Sequence, residues 1–264
     1  MSPMKILFVT QNDPMYVRLL FEEILAQPLA DVEIAGVVIA PAMGKKGLWP
    51  LVKQMYGFYG PVDFVRVGFR YVLCKLRGKL PSGLRGGRAY TIDQACERAG
   101  IPVTHVPRLN DREFVDSIRA RKIDLLVSVA APQIFKQELI DAPLKGCINI
   151  HNSRLPKYRG MMPNFWQMLH GETEVGTTVH RINASLDDGA ILAQILTPLQ
   201  PGESLDSVIR RTKREGGRLL GNTLTLLARG QVTELPNSAA EGSYFSFPTP
   251  DDVRQFRRRG LRML

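Results

Sequence analysis

Residues 124–151 read DLLVSVAAPQIFKQELIDAPLKGCINIH, and the pattern of this segment indicates the fold class. Two predicted strands, Asp124–Val129 and Cys147–His151, are separated by Lys136–Asp141, which predicts a short helix. Strands that are apolar at nearly every position are typical of a parallel sheet covered on both faces. The segment therefore predicts a β-α-β unit within an α/β sheet.

The same alternation continues toward the N-terminus. Lys5–Val9 and Val32–Ala40 are apolar runs that predict two further strands. Between them, Asn12 and Pro14 are typical of a helix start, since Asn caps helices and Pro fits their first turn. We predict a helix from this point to about Gln27.

Downstream segments extend the pattern. Thr91 predicts a helix cap, and Asn110 with Glu113 predicts a capping box. The remaining predicted elements are a strand at 101–106, a helix at 163–170, a strand at 177–182 and an amphipathic helix from Ser204 to about Gly230. The fold class is therefore α/β, a doubly wound Rossmann-like parallel sheet with a basic, aromatic-rich insertion and a short C-terminal extension.

The insertion, residues 41–90, concentrates the charge of a chain whose net charge is +10. It holds a single acid, Asp63, and ten bases: Lys45, Lys46, Lys53, Arg66, Arg70, Lys75, Arg77, Lys79, Arg85 and Arg88. Residues 49–73 add seven aromatics, from Trp49 to Tyr71. Three interpretations stay open: a helical subdomain with a solvated basic face, a lid over an anionic nucleotide, and contact with an anionic membrane.

Several classes of protein are excluded or disfavoured. No uncharged apolar run approaches the length of a membrane span, and the N-terminus lacks the pattern of a secretory signal. Three distant cysteines argue against a disulfide framework, and four histidines lack metal-ligand spacing. We expect a cytoplasmic protein without a metal, with peripheral membrane contact left open.

Polar side chains stand out at the end of the Cys147–His151 strand. Asn149 and His151 are two residues apart, so they share one face of the sheet. A later turn contains Asp187 and Asp188. An amide, an imidazole and a carboxylate suit acyl transfer, although purely structural roles at a strand end fit the spacing as well. We expect His180, in the strand before this turn, to be structural.

The segment GCINIHNSRLPKYRG at 146–160 resembles the core motif of the folate-dependent formyltransferases. Further matches follow in order at Pro163, 171–172, 176–180 and 186–194. The resemblance implies a catalytic domain at 1–205, containing the 41–90 insertion, followed by a C-terminal helix and basic tail at 206–264. It also implies transfer of a formyl group from the co-substrate 10-formyltetrahydrofolate to an amine, without a metal.

The resemblance also implies individual roles. Asn149, His151 and Asp187 match the catalytic trio of the family, whereas Asp188 falls on a variable position. Asn152 and Arg154 depart from the usual residues of the motif. The positions that match cofactor-binding segments are Gln133, Ile134, Ser153, Arg154, Leu155, Pro156 and Asn183.

The predicted acceptor is a primary amine that attacks the formyl carbon directly, either a nucleotide-linked amino sugar or another small amine. Glycinamide ribonucleotide is disfavoured because TQNDP at 10–14 lacks the phosphate loop of the enzymes that use it. A methionyl-tRNA formyltransferase-like activity on RNA is an alternative, although the residues after Pro201 are too few for the C-terminal barrel of those enzymes. Hydrolysis of 10-formyltetrahydrofolate and non-catalytic nucleic-acid binding are also left open, as is the oligomeric state.

Overall fold

The computed structural model describes residues 2–41, 48–81 and 84–264. Lys45 and Lys46 of the basic insertion lie outside the described residues. The main sheet has seven strands in the order β3-β2-β1-β4-β5-β7-β8. These strands are β1 (Met4–Gln11), β2 (Val32–Ala40), β3 (Val103–His105), β4 (Leu125–Val129), β5 (Cys147–His151), β7 (Glu174–Arg181) and β8 (Ile191–Pro198).

The sheet is mostly parallel, which confirms the predicted fold class. The first five strands pair in parallel, whereas β7 runs antiparallel to both β5 and β8. The strand β8 was not predicted from the sequence. It lies at an edge of the sheet, and its middle residues alternate between half-buried and exposed, so it lacks the continuous apolar run of the central strands.

Helices cover both faces of the sheet. One core packs side chains such as Phe8 and Phe21 against Leu220, and the other packs Leu126 against Ile118 and Leu139. The helices are α1 (Val17–Leu25), α2 (Leu48–Gly78), α3 (Ile92–Arg98), α4 (Arg112–Ala120), α5 (Gln137–Ile140), α6 (Pro163–Leu169), α7 (Leu205–Ala228) and α8 (Pro250–Arg258).

The helix starts only partly follow the predictions. Thr91 caps α3 and Ser204 caps α7, as expected. The predicted capping box at Asn110 is wrong, because this side chain instead bonds the backbone of Ile134 and Lys136. Similarly, α1 begins only at Val17, after the predicted start at Asn12 to Pro14, because the Asp13 carboxylate accepts the N–H groups of a preceding turn.

The α2 helix is bent and attached to the body at its middle. Gly60 has a φ of +71°, and Pro61 follows it, so two helical halves meet there. Next to the bend, the Phe58 ring is buried against Phe165 and Phe247. In the second half, Arg70 makes an ion pair with Asp206 at 3.1 Å. The insertion therefore forms a helical arm that packs on α7 and α8.

The chain beyond α7 returns to the body. A short parallel pair joins β6 (Arg159–Gly160) to β9 (Tyr244–Phe245), and Leu235 bridges to Ile191 at the start of β8. The α8 residue Phe256 stacks on Phe165 with ring centroids 4.7 Å apart. In the described part of the chain, no helix is both long enough and apolar enough to span a bilayer.

Candidate active site

A cavity of about 540 Å³ opens at the carboxyl ends of β1, β4 and β5. Its walls include the loops 130–135 and 182–187, together with parts of α6 and α7. Ligands of open α/β sheets bind at this edge. The three side chains of the predicted trio, Asn149, His151 and Asp187, all line the cavity.

Asn149 is held by a neighbour on the adjacent strand. The antiparallel register of β5 and β7 places Asn149 directly opposite His180. The Asn149 Nδ2 and the His180 Nε2 lie 3.1 Å apart. His180, for which we expected a structural role, is therefore buried at the floor of the cavity and touches the trio.

The hydrogen bonds of His180 assign its tautomer. Its Nδ1 lies 2.7 Å from the carbonyl oxygen of Arg181, which can only accept, so this nitrogen carries the proton. Burial lowers the pKa of His180 to about 4, against the opposing charge of Asp187. The ring is therefore neutral at pH 7, and its Nε2 lone pair accepts one N–H of Asn149. The other amide N–H remains for a ligand.

His151 and Asp187 meet beside this pair. The His151 Nε2 lies 3.1 Å from the carbonyl oxygen of Tyr158 and 3.8 Å from Asp187 Oδ2. The other carboxylate oxygen, Asp187 Oδ1, lies 3.6 Å from His180 Nε2. The carboxylate thus lies between two imidazoles, and only about a tenth of its side chain is exposed.

The loop carrying Asp187 is fixed by several contacts. Asp187 has a φ of +50°, which is unusual for a non-glycine residue. Its Oδ2 accepts the N–H of Gly160 at 3.1 Å. The Asn237 side chain donates to the carbonyl oxygens of Asp187 and Gly189, at 3.0 and 2.9 Å. A Cβ atom at Gly189 would lie 2.0 Å from the Arg181 carbonyl oxygen, so only glycine fits there.

Other unusual backbone angles lie around the same cavity. Ala130 and Met162, with φ of +52° and +53°, line it, and Tyr158, with φ of +62°, supplies the carbonyl that His151 contacts. Each such residue costs about 1–3 kcal/mol, and such residues gather where the surrounding structure fixes a functional geometry. Their concentration marks this cavity as the functional site.

The two cavity loops contain several of the residues that were predicted to bind the cofactor. Of the predicted cofactor residues, Gln133, Ile134 and Asn183 line the cavity. The Gln133 side chain bonds the backbone of Pro107 and Leu109, which fixes its loop. Among the described residues, the backbone N–H groups of 133–135 make no hydrogen bond.

The other four predicted cofactor residues lie elsewhere. The structure does not bring Ser153, Arg154, Leu155 or Pro156 to the cavity lining. This segment packs against β7 and β8, where Leu155 donates its N–H to Thr178 and accepts a bond from Gln194. Its backbone polar groups are therefore used within the body of the protein. Contact of these four residues with the cofactor stays a prediction.

The opposite end of the cavity has a different character. It is lined by Gln11 and Asp13 at the end of β1, by Tyr59 from α2 and by Lys213 from α7. Burial lowers the pKa of Lys213 to about 8, although the charge of Asp13 opposes the shift. No carboxylate of the described residues lies within ion-pair distance of Lys213. This end presents a cation to a ligand.

Three of these residues carried little or no signal in the sequence. Asn237 reaches the Asp187 loop from 50 residues away, so no local motif marks it. Lys213 lies on an amphipathic helix among other charged residues. His180 could have been found only from the antiparallel register that places it opposite Asn149. Within the described ranges, no cluster of three or more His, Cys, Asp or Glu residues is arranged to hold a metal.

Comparison with protein families agrees with the chemistry of this site. A family model described as formyl transferase matches residues 87–224, which is more than half of the chain. The matched range contains Asn149, His151, Asp187 and both cavity loops. The chain belongs to the formyl transferase family.

Individual relatives match over a similar range. A methionyl-tRNA formyltransferase of Trichlorobacter lovleyi is 37% identical over 147 residues, 56% of this chain and 46% of the relative. A methionyl-tRNA formyltransferase of Geobacter sulfurreducens is 42% identical over 132 residues, 50% of this chain and 42% of the relative. The match therefore spans about half the length of these relatives or less.

Solved structures extend the likeness in fold over more of the chain. A glycinamide ribonucleotide transformylase of Symbiobacterium toebii aligns with a TM-score of 0.61 at 18% identity, covering 89% of this chain and 95% of the other. A sugar N-formyltransferase of Shewanella sp. aligns with a TM-score of 0.58 at 20% identity, covering 96% and 87%. At such identities these matches establish the fold and not the acceptor.

Proposed function

We propose that the protein is an N-formyltransferase that uses 10-formyltetrahydrofolate and a primary amine. One observation carries this proposal: Asn149, His151 and Asp187 converge in one cavity, with Asp187 Oδ2 3.8 Å from His151 Nε2. The cavity also has a loop with free backbone donors on one side and Lys213 on the other. These two ends suit a pterin and an acceptor, respectively.

When bound, 10-formyltetrahydrofolate supplies an activated one-carbon carbonyl group. The free N–H of Asn149 donates to the carbonyl oxygen as negative charge develops on it. His151 adds a second donor once both of its ring nitrogens carry a proton, because its Nε2 already contacts the Tyr158 carbonyl oxygen. A preorganised donor of this kind is worth about 3–4 kcal/mol in a transition state. Since the amine attacks directly, no covalent bond to the enzyme forms.

The Asp187 carboxylate serves the proton transfer. An amine that attacks a carbonyl carbon must lose a proton, and the leaving nitrogen must gain one. Asp187 lies beside His151 and accepts the Gly160 N–H, which holds Oδ2 in place. The carboxylate stabilises a protonated His151, and the pair carries the proton between the two nitrogens.

The better supported acceptor is a methionyl-tRNA. The two sequence relatives named above, 37% and 42% identical, are methionyl-tRNA formyltransferases, and they favour this acceptor over the nucleotide-linked amino sugar that was our first expectation from the sequence. The amino sugar stays a second candidate because the acceptor end combines Tyr59 with Lys213. Both acceptors carry phosphate, which a lysine without an ion-pair partner would attract.

A three-way assay tests the reaction and the acceptor together. The purified chain would be given 10-formyltetrahydrofolate with initiator methionyl-tRNA, with a nucleotide-linked 4-amino sugar, or with no acceptor. Tetrahydrofolate is followed by absorbance and the formylated product by mass spectrometry. We expect product with methionyl-tRNA that disappears in His151→Ala. Product only with the sugar would make the amino sugar, and not methionyl-tRNA, the better supported acceptor. Formate release without an amine would identify a hydrolase.

A further inference from the structure

We infer that the outward face of α2 docks onto an anionic lipid surface. The face is a stripe of apolar side chains in the second half of the helix, which we call the α2 stripe. Its members are between 52% and 68% exposed. They are Val62, Val65, Phe69, Val72 and Leu76.

The α2 stripe points away from the protein body. At about 3.6 residues per turn, its spacing of three and four residues places all five side chains on one side of the helix. The opposite side carries the attachments to the body, including the ion pair of Arg70 with Asp206. Surface helices normally turn their apolar stripe toward the core. Here the apolar stripe lies on the solvent side, so it lacks a partner within the described chain.

Further exposed apolar side chains lie before and after the stripe in the sequence. Trp49, in the first half of α2, is 81% exposed, and Tyr56 is 50% exposed. Past the helix, Leu80 and Leu84 are exposed as well. Aromatic and aliphatic side chains on one polar-flanked helix are the composition of elements that lie in the plane of a membrane interface. The segment does not cross a bilayer; it would lie on one.

The basic residues that flank the α2 stripe indicate which kind of surface binds this face. Residues 48–90 contain eight Lys and Arg but only one acid, Asp63. Arg66 and Arg77 flank the stripe on one side and Lys75 on the other, and all three are exposed. Basic side chains on both flanks of an apolar face complement the anionic headgroups of a bilayer, into which the apolar side chains insert.

The same charges disfavour a second copy of the chain as the occupant. A stripe spaced by three and four residues also resembles a coiled-coil seam. In a pair of α2 helices, however, the flanking positions of both helices would be basic, and like charges at these positions repel. A lipid surface that supplies the opposite charge removes this conflict.

Vesicle co-sedimentation of the full chain tests the inference. Vesicles of phosphatidylcholine with phosphatidylglycerol would be compared with vesicles of phosphatidylcholine alone. The test variant is Val65→Asp with Phe69→Asp. Its matched control is Leu144→Asp with Leu226→Asp, which introduces the same charges at exposed apolar positions outside α2. Circular dichroism and transfer activity without vesicles establish that both variants fold.

We expect the wild type to sediment only with the anionic vesicles. The stripe variant should bind at least tenfold more weakly, and the control should bind like the wild type. Binding that is absent, equal in both variants, or equal on both kinds of vesicle would overturn the inference. Analytical ultracentrifugation adds one more decisive outcome: a wild-type dimer that the stripe variant dissociates, without vesicle binding, would make this face a self-association surface.

Discussion

The Asn149 side-chain amide donates to His180 Nε2 across a distance of 3.1 Å, and the two residues face each other in the register of β5 and β7. Because His180 also donates through Nδ1 to the Arg181 carbonyl, the orientation of the Asn149 amide is determined by backbone geometry. One N–H of Asn149 is used by this bond, and the other is free for a ligand in the cavity.

Loss of any member of the trio should abolish most turnover. We expect Asn149→Ala, His151→Ala and Asp187→Asn each to lower kcat by about a hundredfold or more, with little change in thermal stability. The matched control is Asp188→Asn. The neighbouring Asp188 carboxylate is not a member of the trio and forms an ion pair with Arg159, at 2.8 Å. Steady-state kinetics would contradict the assignment if Asp188→Asn lost more activity than Asp187→Asn.

Replacement of His180 should affect turnover through Asn149. His180→Ala removes the acceptor that orients the amide, and we expect kcat to fall about tenfold while the KM for the folate changes little. His180→Gln can supply an oxygen acceptor, so it should recover part of the loss. A Gln variant no better than the Ala variant would indicate that His180 acts in another way.

The pKa of His180 predicts a loss of stability in acid. Burial lowers this pKa to about 4, whereas an unfolded His has a pKa near 6.5. Between these values the unfolded chain binds more protons, so the free energy of unfolding should fall as the pH drops, by about 2 kcal/mol from pH 7 to pH 5. Urea titrations of the wild type and His180→Gln at both pH values isolate this contribution. Identical pH dependence in the two proteins would refute it.

Asn237 should matter for catalysis although it lies far along the chain. Asn237→Ala removes two hydrogen bonds to the Asp187 loop, and we expect about 1–3 kcal/mol lower stability and at least tenfold lower kcat. Asn222→Ala, at an exposed position of α7, is the control and should change neither quantity. Denaturation and kinetics on both variants give the comparison.

Two glycines should respond to alanine in opposite ways. Gly189→Ala places a Cβ atom against the Arg181 carbonyl, so the loop must move and activity should fall sharply. Gly68→Ala fills open space in the interior of α2 and should stabilise the protein by about 0.5–1 kcal/mol. Thermal melting and turnover separate the two effects. An active, stable Gly189→Ala variant would show that the loop geometry is not required.

Much of the fold followed from the sequence because the central strands are apolar along their whole length. Asn149 and His151 were placed on one face by the two-residue period of a strand alone. The partner of Asn149 was not predictable, because a parallel sheet was assumed and cross-strand neighbours depend on strand direction. Asn110 was misassigned for a related reason: its hydrogen bonds go to Ile134 and Lys136, residues that are distant in the sequence.

The bend of α2 at Gly60 connects two parts of the molecule that otherwise lie apart. Immediately before it, Phe58 is anchored in the aromatic core and Tyr59 forms part of the cavity wall, while two residues after it the outward stripe begins. Because these residues are adjacent in the chain, a rotation of the second half of α2 would displace Tyr59 in the cavity wall without involving the central sheet. Binding at the exposed stripe of α2 is therefore connected to the cavity through only a few residues.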